Sequence, residues 1–188
     1  MGHKEDLLAG AKQCLREKGY ANTTARDIVA ASGTNLASIG YHFGSKDALM
    51  TQAIIEMISE WGDRFGGEPV DASADYGTRF AMHWRDLAAA VSGDRQLSLA
   101  SFENAATAMR LPELSAIIAA GQEDARIGLG DDFAAADADP GTRRAIGSLM
   151  LAVTTGVIAQ WLVDPKRSPS PEDIVKAFQA IGEAFARK

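Results

Sequence analysis

At 188 residues and 46% hydrophobic content, the chain can bury a core of one large domain or two small ones. Its formal net charge of −6 argues against a broadly cationic surface, and the lone Cys14 excludes an intrachain disulfide or a multi-cysteine metal site. No apolar run approaches the roughly 20 residues of a membrane span and the N-terminal residues lack a signal-peptide core, so a soluble cytoplasmic protein is expected.

The elements read as helices almost throughout. Leu7, Leu8, Ala11, Cys14 and Leu15 recur at three-and-four spacing on a first helix that stops at Gly19. Cys14 falls on the apolar side, which makes it a small buried hydrophobe. Thr24, with Asp27 three residues on, marks the start of a second short helix running to Ser32-Gly33. Asn35 caps a third, in which Leu36, Ile39 and Phe43 are expected to pack inward. That leaves Thr34, Asn35, Ala37, Ser38, Gly40, Tyr41 and His42 on or near the outer side, small or hydrogen-bonding residues suited to base edges and phosphates. Ser45 caps a fourth, longer helix to about Phe65, with Lys46 as a cation beside it that suits a phosphate.

Gly66 to Ala74 is the clearest linker, and the domain boundary is placed near it: residues 1–50 and 51–188, joined by a connecting helix at about 45–65. Beyond it no strand alternation appears. Phe80, Trp84, Leu87 and Val91 share one helix face before Ser92-Gly93; Leu97 to Met109 and Pro112 to about Phe133 form two more helices, and Asp137 to Gly141 a turn. Thr142 to Val163 carries Ile146, Met150, Val153, Val157 and Trp161 along a stripe. Ser170-Pro171-Glu172-Asp173 then starts a last helix bearing Ile174, Phe178, Ile181 and Phe185. The expectation is an all-α chain of about nine helices.

Two short helices around a tight turn are how proteins present one helix to a DNA groove. The residues Thr24, Ile28, Gly33, Tyr41-His42-Phe43 and Ser45-Lys46-Asp47-Ala48-Leu49 closely resemble the DNA-binding domain of the TetR (tetracycline-repressor) family of bacterial transcription regulators. Thr34, where the family more often has an aliphatic residue, and Gly40 depart from the pattern. The resemblance implies an N-terminal three-helix helix-turn-helix domain followed by a helical ligand-binding and dimerisation domain. It assigns DNA contact to Thr24, Arg26, Thr34, Asn35, Ala37, Ser38, Gly40, Tyr41, His42 and Lys46.

The resemblance also implies a homodimer formed by the last two helices, through Ile146, Met150, Val153, Val157, Ile174, Phe178, Ile181 and Phe185. A twofold dimer reads two half-sites where one short helix reads only a few base pairs. A small-molecule effector is implied as well, with Phe80, His83, Trp84, Leu87, Phe102, Met109 and Trp161 as the large residues available to line its pocket. His83, beside Phe80 and Trp84, is the polar group suited to orient or sense a ligand.

Charge has to be resolved by position. Residues 1–50 hold six Lys/Arg against five acids, whereas the remainder holds thirteen against twenty, so the acidity lies away from the reading head. The three histidines, His3, His42 and His83, form no metal-ligand spacing, and Gly128-Leu129-Gly130 lacks the third glycine and the preceding strand of a dinucleotide loop. Neither an enzyme nor a cofactor is expected. The sequence reading is therefore a dimeric, DNA-binding transcriptional repressor, released from a palindromic operator by a small molecule and hinged at the Ser45 to Phe65 helix. A helical small-molecule-binding protein without DNA function is the alternative.

Overall fold

Leu7, Ala11, Cys14 and Leu15 line one side of α1 (His3–Asn22) and are buried, as their spacing predicts. The computed structural model describes residues 3–65, 74–109 and 111–187, without the side chains of 61–65, 104, 107 and 113. The linker expected at Gly66 to Ala74 lies, but for its last residue, outside the described residues. The described residues form α1 followed by α2 (Ala25–Ser32), α3 (Leu36–Phe43), α4 (Lys46–Phe65), α5 (Tyr76–Gly93), α6 (Arg95–Ala108), α7 (Pro112–Phe133), α8 (Pro140–Val163) and α9 (Pro171–Ala186), with no strand among them.

The chain divides into two compact units. The first comprises residues 1–63 and 96–119, the second residues 64–95 and 120–188. In the first, α1 packs on α2 at Gly10, where an added Cβ would come within 2.8 Å of the Ser32 Cβ and 3.0 Å of the Ile28 carbonyl oxygen. Leu49, Met50, Ala53, Ile54 and Met57 present the inner side of α4 to the same core as Ile28 and Ile39. Leu97, Ala100, Ala108 and Leu114 join that core, so α6 and the start of α7 belong with the N-terminal helices although nothing in their periodicity announces it. Lys12 bridges Glu56 at 3.1 Å and Glu60 at 2.7 Å, tying α1 to α4 through charge-assisted bonds.

In the second unit α5 buries Phe80, Trp84, Leu87 and Val91. α8 starts two residues earlier than the sequence suggests: Asp139 accepts from the backbone N–H groups of Gly141 and Thr142, and Pro140 occupies the first turn, so the expected turn at Asp137–Gly141 is in part a capped helix start. Arg143 closes the α7–α8 connection by donating to the carbonyls of Ala135, Ala136 and Ala138. Ser170 and Asp173 form the expected capping box at α9.

α8 is long and apolar enough to cross a membrane by length and composition, although Gly147, Ser148, Thr154, Thr155 and Gly156 interrupt any continuous apolar run. Only 28% of its most apolar window is buried within the chain. The apolar surface this leaves on α8 is that of a helix with more than one neighbour to satisfy.

In the second unit α7 and α8 approach backbone to backbone at Gly147. A Cβ at Gly147 would lie 1.9 Å from the Arg126 carbonyl oxygen and 2.9 Å from the Gly130 amide nitrogen, both backbone atoms that cannot rotate away. Gly147→Ala is therefore expected to lower stability by about 1–3 kcal/mol or more in urea unfolding. Gly128→Ala, on exposed α7 surface with no atom within 4 Å, should be neutral or raise it by up to about 1 kcal/mol. Equal stability of the two variants would contradict the packing described.

Candidate functional site

The candidate recognition helix is only eight residues long, too short to hold itself together, so its ends and one face are fixed from outside. At its start the Asn35 carboxamide oxygen accepts from the Ser38 backbone N–H at 3.1 Å. At its end Gly44, with φ +79°, donates its N–H to the Gly40 carbonyl and turns the chain into α4. Ile39 is buried and Phe43 packs against the core of the first unit. Leu36 does not join them: as the first residue of α3 it stands 52% exposed, against the sequence expectation.

The preceding helix is held as firmly. Thr24 accepts from the Asp27 N–H at 3.2 Å while Asp27 accepts from the Thr24 N–H at 2.8 Å, and Lys18 reaches the same carboxylate at 2.5 Å. The Lys18 ammonium and the Thr24 hydroxyl and amide hold the Asp27 carboxyl well below the usual range. Gly33, at φ +65°, then donates its N–H to the Val29 carbonyl and ends α2 in the left-handed conformation.

These anchors decide what remains for a ligand. Thr24 and Asn35 are exposed but spend their side chains on caps, and the Thr34 hydroxyl is 2.8 Å from that of Ser32. Ala37 and Gly40 are exposed, Ser38 is half-buried, and Tyr41 is 86% exposed. His42 is half-buried, with Tyr41 edge-on at 4.8 Å between ring centroids. Lys46 is not a free cation, since its ammonium donates to the Thr23 carbonyl at 3.0 Å and lies over the Tyr20 ring. Arg26 is exposed, with no hydrogen-bond or ion-pair partner among the described residues. Lys4, which the sequence reading passed over, lies 5.9 Å from the centroid of Phe43; nothing in its local sequence signals that contact across 39 positions.

The residues expected to line a pocket do not fall in one place. Phe80, His83, Trp84 and Leu87 lie on α5 and Trp161 on α8 in the second unit, whereas Phe102 and Met109 belong to the first, Met109 exposed. The Trp161 indole N–H donates to the Pro169 carbonyl at 2.8 Å, which occupies it in closing the α8–α9 loop. What gathers around α5 is an aromatic cluster. Phe80 lies 5.5 Å from Phe133 and 5.0 Å from Phe178, both edge-on, and 6.0 Å from Tyr76, stacked. His83 meets Phe133 edge-on at 5.1 Å and Trp84 at 5.3 Å. Phe133 and Phe178 come from α7 and α9, far from α5 in sequence, so no pattern within one helix marks their meeting.

Within this cluster the His83 Nε2 and the Trp84 indole N–H are buried with no hydrogen-bond partner. Burial pushes the His83 imidazole below its ordinary value, partly opposed by the charges of Asp132 and Asp86.

The stripe expected to form a dimer divides. Met150, Val157 and Ile174 are buried inside the second unit, and Phe178 packs on Phe80. Ile146 and Val153 are half-buried, whereas Ile181 and Phe185 are exposed, the latter by 86%. On α8 the exposed apolar positions are Leu149 and Val163, offset from the predicted stripe.

Comparison with known proteins agrees with this arrangement. Residues 7–53 match the family model described as bacterial regulatory proteins, tetR family, and residues 77–184 match the tetracyclin repressor-like C-terminal domain. The repressor AcnR of Corynebacterium efficiens is 37% identical over 46 residues, and the dual regulator CecR of Shigella flexneri 37% over 87. Those segments are 24% and 46% of this chain and span 24% and 36% of the two relatives' own lengths. Among solved structures, the multidrug binding protein EbrR in complex with imidazole has a TM-score of 0.72 at 26% identity, covering 96% of this chain and 94% of its own. A transcriptional regulator from Pseudomonas aeruginosa PAO1 has a TM-score of 0.76 at 20% identity, covering 97% and 89%, which speaks for the fold alone. A reading helix anchored by caps, a separate helical second unit, and two family models that together match most of the chain lead to one conclusion: the chain belongs to the TetR family of bacterial transcription regulators.

Proposed function

We propose that the chain is a homodimeric, DNA-binding transcriptional repressor that leaves a palindromic operator when a small aromatic molecule binds its second unit. The observation that carries this reading is the outer face of α3, where Ala37, Gly40 and Tyr41 stand exposed on a helix whose other face is anchored by Ile39 and Phe43. Small residues let the helix backbone approach base edges, and the Tyr41 hydroxyl suits a phosphate. Arg26 and Lys4 supply positive charge beside it, while Lys46 serves by holding the turn rather than by free charge. The name of AcnR as a repressor supports the sign of regulation.

Two copies are needed to read two half-sites, and the exposed apolar residues Leu149, Val163, Ile181 and Phe185 on α8 and α9 are the surface proposed to join them. For the effector, the aromatic cluster around α5 is the proposed site, and the planar aromatic ligands proflavin and ethidium in structures of EbrR support a flat ring as its shape. Release follows if the effector binds better to the dimer whose two α3 helices are wrongly spaced, with α4 as the proposed lever between domains 1–50 and 51–188.

In gel shifts against the operator, Tyr41→Ala should weaken binding about tenfold or more across related duplexes, whereas Ser38→Ala changes their rank order. Arg26→Gln should flatten the dependence of log affinity on log salt by about 0.9. Full binding by Tyr41→Ala together with an unchanged slope for Arg26→Gln would contradict the assignment. Sedimentation at micromolar concentration should show a dimer that Leu149→Glu combined with Phe185→Glu converts to monomer; a dimer that persists in the double variant would place the interface elsewhere.

A further inference from the structure

Three side chains of α5 leave a buried nitrogen unpartnered, and the His83 Nε2 joins the other two as a donor when it carries the imidazole proton. Arg79 Nε is buried without a hydrogen-bond partner, as are His83 Nε2 and the Trp84 indole Nε1. Arg79 also has no ion-pair partner among the described residues, in a chain whose net charge is −6. Guanidinium and indole groups only donate, so the partner they lack is an acceptor, and the guanidinium fork matches a carboxylate above other acceptors. Leaving such donors buried and unmet is costly, and a ligand that satisfied them would recover that cost on binding.

Position adds the second half. Arg79 and His83 are four residues apart on α5 and therefore adjacent on one side of the helix. On that side Tyr76 is half-exposed, stacked on Phe80 and edge-on to Phe133, and Phe133 in turn meets His83. The exposed Tyr76 ring, backed by the buried Phe80 and Phe133, thus borders two unsatisfied nitrogen groups. Of the carboxylates nearby, Asp75 is bound to Thr78 as the cap of α5, while Asp86 and Asp132 act on His83 by charge alone, without a hydrogen bond to it.

We infer that the effector is an aromatic carboxylate, its anion on Arg79 and His83 and its ring against Tyr76. The inference rests on the reading of the α5 cluster as the effector site and narrows its ligand class. It also separates this chain from a binder of cationic dyes: a cation brings more donors and more positive charge, and would leave Arg79 as it is.

Isothermal titration of the full chain with naphthoate, naphthylmethylammonium, naphthalenemethanol and proflavin tests it. Naphthoate should bind at least about tenfold tighter than naphthylmethylammonium, and Arg79→Gln should cost it at least about tenfold. The same variant should leave naphthalenemethanol within about twofold, and Arg79→Lys should recover part of the naphthoate affinity, with circular dichroism confirming that both variants fold. Tighter binding of naphthylmethylammonium or proflavin, or naphthoate affinity indifferent to Arg79→Gln, would overturn the carboxylate assignment and leave the effector site standing. Binding of none of the four would overturn the site and the assignment together.

Discussion

Everything proposed for this chain depends on an eight-residue helix that cannot exist by itself. Two turns of helix satisfy few of their own backbone groups and gain too little from propagation to offset nucleation. α3 is rigid only because Asn35 closes one end, Gly44 the other, and Ile39 sits in a core shared with α1, α2 and α4. Truncating a buried aliphatic of this kind typically costs about 2–5 kcal/mol, a large share of a small domain's stability. The inner side of α3 is thereby committed to packing, and the outer side is what remains for the proposed contact with DNA.

That division extends to the charges. The first fifty residues look mildly basic by count, yet most of that charge is committed to structure. Lys12 and Arg16 are bridged to α4 acids, Lys18 to Asp27, and Lys46 to the Thr23 carbonyl. Arg26 and Lys4 are left to meet a polyanion. Under the proposed function, a head built this way would gain little nonspecific affinity from counterion release and would depend for its hold on DNA on fit and on a second copy.

Much of this was legible in the sequence, for identifiable reasons. Caps and glycine stops are local signals, and Thr24–Asp27, Asn35, Ser45 and Ser170–Asp173 appear in the structure in the roles their spacing suggested. The nine helices among the described residues follow from three-and-four periodicity in the same way. What escaped depends on contacts between distant segments. Membership of α6 in the first unit, the approach of α7 to α8 at Gly147, and the meeting of Phe133 and Phe178 with Phe80 have no signature within one helix. Periodicity showed that α8 and α9 were apolar on broad faces, but could not tell Met150, turned into the chain, from Leu149, turned out. Lys46 marks the same limit, since its local position suits a phosphate whereas its partner lies 23 residues earlier.

Selection of bound duplexes from a random pool by the purified full chain tests the central claim most directly. Two inverted half-sites should be enriched, with centres one helical turn apart, about 34–36 Å, or a multiple of it. Enrichment should vanish when the selection is repeated with the Tyr41→Ala chain. A pool that stays random, or one that returns single half-sites without fixed spacing, would contradict a paired reading head built on α3.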